Sequence, residues 1–118
     1  MEAIKNKLIQ AEHKALELFK AAEDRELIVA GKSEGQLNDD VFSLAKELFG
    51  IEKYWHKRIV RSGPNTLKPY DENPPELIIQ ENDILFFDFG PIFEDWEADL
   101  GRTYVIGNDP LKIGRAHV

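Results

Sequence analysis

Residues 82–107 read NDILFFDFGPIFEDWEADLGRTYVIG and carry two aspartates, Asp88 and Asp99, eleven positions apart. The segment ILFFDF at 84–89 is a nearly continuous apolar run, which is typical of a strand covered on both faces. The Gly-Pro pair that follows breaks the run, because glycine permits unusual backbone angles and proline lacks a donor N–H. The sequence therefore predicts a buried strand that carries Asp88 near its end.

The second part of this stretch predicts a short hairpin or a bulged strand return, followed by a further strand. Apolar residues alternate with acidic ones over 92–97, and Tyr-Val-Ile at 104–106 favours a strand. Such a course would bring Asp88 and Asp99 side by side on adjacent strands. A buried carboxylate is costly unless something pairs with it, so two neighbouring ones call for a shared cation.

Carboxylate oxygens suit hard cations such as Mg, Mn, Ca or Fe, and a bridged two-metal site is one use of paired carboxylates. The alternative is that Asp88 and Asp99 are ordinary turn or ion-pair aspartates, with Arg102 as a partner. The spacing of the two residues leaves both interpretations open.

The segment DFGPIFEDWEADLGRT at 88–103 resembles the first metal-ligand block of the pita-bread metallopeptidases. That family includes aminopeptidase P, prolidase, methionine aminopeptidase and creatinase. Its pattern is Asp-x-Gly, a short hairpin with aromatic residues, and then an Asp followed closely by Arg-Thr and a strand. The positions that match this pattern are Asp88, Gly90, Asp99, Arg102 and Thr103.

The resemblance implies a fold, a reaction and a site. The fold is α+β, one half of a pita bread, with two helices packed on a small and mostly antiparallel sheet. The reaction is metal-dependent hydrolysis of a peptide substrate at Xaa-Pro bonds. Asp88 and Asp99 would hold two divalent ions (Mn, Co, Zn or Fe), while Arg102 and Thr103 orient Asp99 or a neighbouring ligand. The full-length protein could be a homodimer.

One departure from the family concerns histidine. The family's catalytic histidine falls in the loop at 64–76, but this chain has Tyr70 there, eighteen residues before Asp88, and the loop contains no histidine. A tyrosine could donate a hydrogen bond to a developing oxyanion, but it would need a large pKa shift to act as a base. His56, in the segment 54–63 that is expected to form the first strand and its exit, is either a substrate- or metal-binding residue or a strand-end histidine bonded to backbone. A non-catalytic module that binds peptides or proteins is therefore the alternative function.

A second departure concerns length. The resembled domain has two halves, and the second half supplies a His and two Glu ligands. We expect residues 1–112 to be the first half, inactive alone, with apolar surface exposed along Phe86, Phe93 and Tyr104 where the other half packs. The last six residues, IGRAHV at 113–118, can be encoded by the start of a common sequencing adapter, so we expect a non-biological tail. A natural tail is the alternative.

Two amphipathic helices precede the strands. Apolar residues recur at three- and four-residue steps from residue 2 to about residue 24, which predicts the first helix. Ser33 is a suitable N-cap for a second helix from about Gln36 to Phe49, and Gly50 is a suitable end.

Composition excludes several classes of protein. The chain has 118 residues, a net charge of −7 and a pI of about 4.9, which disfavours nucleic acid and anionic membranes as partners. The absence of cysteine excludes disulfides and thiolate metal sites. No apolar run reaches the roughly 20 residues of a membrane span, and the charged N-terminus is unlike a secretory signal. We therefore expect a cytoplasmic protein.

Overall fold

The computed structural model describes residues 2–93, 96–97 and 100–107. Asp99 and the tail at 113–118 lie outside the described residues. These described residues form two helices and five strands, with a 3₁₀ turn at Gly63–Leu67. The elements are α1 (Glu2–Asp24), α2 (Glu34–Phe49), β1 (Ile59–Ser62), β2 (Ile84–Phe89), β3 (Ile92–Phe93), β4 (Trp96–Glu97) and β5 (Leu100–Val105). The predicted α+β class is confirmed.

Both predicted helices are present, and their ends follow from local chemistry. The Ser33 hydroxyl accepts a hydrogen bond from the Gln36 N–H at 3.0 Å, which confirms the N-cap and starts α2 at Glu34, two residues earlier than predicted. Gly50 ends α2 with a φ of 68°, a left-handed conformation that glycine adopts without strain. Neither helix, within the part of the chain described, is long and apolar enough to cross a membrane.

The main sheet has the strand order β1-β2-β5, and both pairings are antiparallel. Asp88 on β2 lies between Ile59 on β1 and Gly101 on β5. The last strand starts at Leu100, earlier than predicted, because the Gly-Arg-Thr residues that follow all pair with β2. The predicted hairpin is confirmed, since β3 and β4 pair with each other.

The prediction that β2 is covered on both faces is wrong. Leu85, Phe87 and Phe89 are fully buried, whereas Phe86 and Asp88 are only half-buried. Successive side chains of a strand point to opposite faces, and the helices cover one of these faces. The Phe19 ring of α1 meets the Phe87 ring edge-on, at 5.3 Å between centroids. The described residues leave the other face, which carries Asp88, partly open.

The expected exposure of Tyr104 is also wrong, since its side chain is 2% exposed. Tyr104 pairs with Leu85 and therefore faces the helices, where its ring lies 6.4 Å from Phe19 and 5.9 Å from Phe87. Burial raises the pKa of Tyr104 to about 12. Phe86 is half-buried, and the Phe93 side chain lies outside the described residues.

Glu34, the first residue of α2, is a buried carboxylate with a dense set of hydrogen bonds. It accepts bonds from the Ser62 N–H at 2.6 Å, the Ser62 hydroxyl at 3.0 Å and the Asn65 amide at 3.1 Å. The Leu77 N–H donates a further bond at 3.0 Å. Hydrogen bonds to a charged acceptor are the stronger ones, so this carboxylate joins α2, the end of β1 and both ends of the proline-rich loop.

Replacing this carboxylate should cost stability. The Glu34→Gln variant places an NH₂ group against N–H donors, so we expect the free energy of unfolding to fall by about 2–3 kcal/mol. Urea titration followed by circular dichroism measures the change. Glu52→Gln is the matched control, because Glu52 is 62% exposed and pairs with Lys46 at the surface. Equal midpoints for the two variants would contradict the assigned role of Glu34.

Candidate metal and substrate site

Asp88 lies near the end of β2, on the sheet face that points away from the helices. Its cross-strand partners Ile59 and Gly101 share this face, because directly paired residues of antiparallel strands lie on the same side. The Asp88 side chain is 31% exposed. This carboxylate is therefore less buried than the sequence predicted, and it is accessible to a ligand on the open face.

The structure brings His56 and Asp88 together. Nε2 of His56 lies 3.5 Å from Oδ1 of Asp88, and the His56 side chain is 10% exposed. Nδ1 of the same ring lies 2.6 Å from the Lys57 carbonyl oxygen. A carbonyl oxygen can only accept, so Nδ1 carries a proton and donates it. The backbone contact agrees with the strand-end interpretation of His56, and its role in binding a substrate or a metal stays a prediction.

His56 lies beside Asp88 because the segment that precedes β1 pairs with the residues that follow β2. The Trp55 N–H donates to the Gly90 carbonyl at 2.9 Å, and Tyr54 forms an isolated bridge with Pro91. Gly90 is needed at this contact, because a Cβ on it would lie 2.5 Å from Trp55 Nε1 and 2.8 Å from His56 Nε2. The glycine of the Asp-x-Gly pattern therefore makes room for two rings beside Asp88.

Tyr70, at the position of the family's catalytic histidine, lies against the same imidazole. The Tyr70 and His56 rings meet edge-on at 5.9 Å between centroids, and the tyrosine is 48% exposed. Arg61 of β1 holds this loop, because its guanidinium donates to the carbonyls of Lys68, Pro69, Tyr70 and Glu72 at 2.5–3.4 Å. The side chain at position 70 is therefore in contact with the imidazole of His56.

Arg102 and Thr103 lie on opposite faces of the sheet. Thr103 pairs with Phe86 and shares the face of Asp88, whereas Arg102 pairs with Phe87 and faces the helices. The Arg102 guanidinium lies 5.0 Å from the Phe19 ring centroid and 3.9 Å from Glu23 on α1. Orientation of Asp99 by Arg102 or Thr103 stays a prediction, because Asp99 is not among the described residues.

The described residues include two neighbouring side chains whose donor atoms suit a divalent metal ion. Carboxylate oxygen and imidazole nitrogen are both suitable ligands for such ions, and Asp88 and His56 present one of each. Among the described residues no group of three His, Cys, Asp or Glu side chains converges on one point. The donor chemistry therefore fits a metal, with further ligands to come from outside this set.

Sequence reasoning missed the role of Arg61 and the contact of Trp55 with Gly90. Arg61 is 7% exposed within a strand, where an isolated charge requires acceptors. The role of Arg61 could have been predicted from its position just before a proline-rich loop, because the irregular backbone of such a loop offers carbonyl groups as hydrogen-bond acceptors. Trp55 gave no signal of its own, since its contact with Gly90 depends on strand register.

Comparison with known proteins agrees with this geometry. The family model "Metallopeptidase family M24" matches residues 6–116. The chain is 29% identical to the prolidase from Thermococcus sibiricus, with a TM-score of 0.68 over 93% of this chain. It shares the fold of the X-Pro aminopeptidase from Thermotoga maritima, with a TM-score of 0.77 over 98% of this chain and 22% identity. A putative Xaa-Pro aminopeptidase from Mycoplasma genitalium is 35% identical over 52 residues, which is 44% of this chain.

The chain spans only part of these relatives. It covers 30% of the Thermococcus prolidase chain, 32% of the Thermotoga aminopeptidase chain and 14% of the Mycoplasma protein. The family match covers most of the present chain, and the structural matches agree with the predicted half of a pita-bread fold. The predicted family resemblance is therefore confirmed: the chain belongs to metallopeptidase family M24.

Proposed function

We propose that this chain is the part of a metal-dependent Xaa-Pro aminopeptidase or dipeptidase that supplies Asp88 and Asp99 to a site for two divalent ions. The observation that carries the proposal is the place of Asp88, whose side chain is 31% exposed on the open sheet face and which belongs to the segment that resembles the ligand block. Family membership and the 29% identity to a prolidase support hydrolysis of a peptide substrate. The ions would be Mn, Co, Zn or Fe.

The residues around Asp88 suit a peptide hydrolase. Divalent ions bound there would polarise the scissile carbonyl and lower the pKa of a water molecule. Trp55 and Tyr70 both contact the ring of His56, which faces Asp88, and with exposed fractions of 46% and 48% they provide flat apolar surface for a peptide. The Tyr70 hydroxyl is a hydrogen-bond donor for the oxyanion that forms during attack.

The 118-residue chain should not hydrolyse peptides by itself. The ligand set that the resemblance implies includes a His and two Glu in addition to Asp88 and Asp99. We expect no release of proline from Xaa-Pro dipeptides in the presence of Mn²⁺ or Co²⁺. Metal-dependent turnover by these 118 residues would contradict this expectation.

Sequencing the source locus past the codon for Lys112 would give the reading frame of a longer protein. We expect this longer protein to be active and Asp88 to be essential for its activity. We expect Asp88→Asn to lower kcat/KM for an Xaa-Pro dipeptide by roughly 100-fold or more. The same substitution should lower the amount of metal bound to the protein. Asp39→Asn is the matched control, because Asp39 is an exposed aspartate of α2. Kinetics and elemental analysis of the purified proteins give the two readouts. Unchanged metal content in Asp88→Asn would exclude the proposed ligand.

A peptide- or protein-binding module without catalysis is the second candidate, and the tyrosine at position 70 favours it. The two candidates differ in what the Tyr70 hydroxyl does. If the site is catalytic, Tyr70→Phe should lower kcat about 10- to 100-fold with little change in KM, because an oxyanion donor is lost. Peptide binding without turnover by the wild-type longer protein would instead support the binding module.

A further inference from the structure

One segment of this acidic chain is strongly basic, and it borders the candidate site. Residues 53–70, called the basic segment below, contain five lysines and arginines and no acidic residue, although the whole chain has 22 Asp and Glu against 15 Lys and Arg. The five are Lys53, Lys57, Arg58, Arg61 and Lys68. The same segment holds His56, which faces Asp88, and Tyr70, which contacts His56. Positive charge is therefore concentrated next to the candidate site.

Among the described residues, none of these five basic side chains forms an ion pair with a carboxylate. Basic residues elsewhere do so, and those that pair with an Asp or Glu are Arg25, Lys32, Lys46 and Arg102. The difference shows that the charge of the basic segment is not neutralised by its described neighbours.

The two arginines of the basic segment bond to neutral groups. Arg58 donates to the Asn38 amide oxygen at 2.7 Å, and its guanidinium lies 4.4 Å from the Phe42 ring centroid. Arg61 is 7% exposed and donates to main-chain carbonyls. Such partners stabilise a positive charge without cancelling it, and salt screens a buried charge less than an exposed one. The arginines therefore contribute a positive potential to this part of the surface.

Acidic side chains approach the basic segment from one side, where they have other partners. Glu34, Glu72 and Glu76 line a cavity of about 260 Å³ together with the basic side chains at 57, 58 and 61. Glu34 is buried with its own hydrogen-bond donors, and Glu76 accepts a bond from the Gly35 N–H at 2.6 Å. None of these three carboxylates pairs with a basic side chain of the segment.

Lys57 is the basic residue that contacts Tyr70. Its ammonium nitrogen lies 4.9 Å from the centroid of the Tyr70 ring. The same nitrogen donates to the Asn73 amide oxygen at 3.0 Å and to the Glu72 carbonyl oxygen at 3.3 Å. These bonds hold the ammonium in place, and since it has three protons, a third N–H can bond to a ligand. The side chain is exposed, so a ligand can reach it.

We propose that Lys57 binds a carboxylate of the peptide substrate, so that the site prefers peptides that carry a negative charge there. The carboxylate is either the C-terminal one of an Xaa-Pro dipeptide or that of an acidic side chain in a longer peptide. The net charge of −7 disfavours a polyanion such as nucleic acid, whereas a small anion needs only the local positive potential. The inference rests on the proposed function, which supplies the peptide, and adds a subsite for its charge.

The test is a titration of the 118-residue chain with short peptides, followed by NMR. Gly-Pro is compared with Gly-Pro-amide, and Gly-Pro-Glu-amide with Gly-Pro-Gln-amide, so that the two sources of a carboxylate are separated. We expect the resonances of Lys57 and Tyr70 to shift. In at least one pair, the charged peptide should bind about two- to fivefold more tightly than the neutral one, which is the range for an exposed ion pair. Added salt should reduce this difference.

Matched variants identify the group that is responsible. Lys57→Met should abolish the preference, because methionine keeps an unbranched chain beside Tyr70 but has no charge. Lys20→Gln is the control, since it removes the same charge from an exposed lysine of α1 and should keep the preference. Circular dichroism checks that each variant is folded.

Three results would overturn the inference. The first is equal binding of charged and neutral peptides by the unaltered chain, including no binding of either. The second is a preference that survives in Lys57→Met or is lost in Lys20→Gln. The third is acetate that binds as tightly as the charged peptides, because the site would then recognise charge and not a peptide.

Failure of this inference differs from failure of the proposed function. If the longer protein hydrolyses Xaa-Pro peptides with a kcat/KM that does not depend on their charge, the role of Lys57 is overturned and the hydrolytic function stands. If the 118-residue chain shows the preference that depends on Lys57, but the longer protein binds no metal through Asp88, the subsite stands and the hydrolytic function is overturned.

Discussion

The hydrogen bonds of the Glu34 carboxylate position the segments around the site. This buried anion is stabilised by neutral donors, which are the Ser62 N–H and hydroxyl, the Asn65 amide and the Leu77 N–H. Those donors lie on the end of β1, the 3₁₀ turn and the chain beyond the proline-rich loop. Because a buried carboxylate must keep its donors, the three segments cannot separate without exposing an uncompensated charge. The loop that carries Tyr70 is therefore fixed at both ends.

Stability and chemistry use opposite faces of one sheet. Leu85, Phe87 and Phe89 pack toward the helices, and Asp88 lies between two of them in sequence but on the other side of the sheet. A shift of the register by one residue would exchange these faces, placing the carboxylate in the core. The apolar residues of β2 therefore determine where Asp88 points, although none of them takes part in the chemistry.

Much of the fold follows from local sequence signals. The helical periodicity, the Ser33 cap and the Gly50 end act within a few residues, so their positions could be predicted closely. The ligand block likewise identifies the family from residues 88–103 alone. These features share one property: the residues that define each of them are neighbours in the chain.

The remaining features depend on contacts between distant residues. His56 and Asp88 are 32 positions apart, and they meet because the segment before β1 pairs with Gly90 and Pro91 after β2. The burial of Tyr104 and the open face of β2 were predicted incorrectly for a related reason. An apolar strand does not reveal from its own composition which face is covered, since that depends on what packs against it.

The hydrogen bonds from Arg61 to its loop have a consequence for how this site could have diverged. The loop contacts of Arg61 are main-chain carbonyls, from Lys68 to Glu72, and every residue type presents the same carbonyl. The path of the backbone is thus maintained whichever side chain is attached to it. A histidine or a tyrosine can therefore occupy position 70 without a change in the backbone conformation of the loop. A single substitution at position 70 therefore changes the functional group that faces His56, and the loop backbone keeps its conformation.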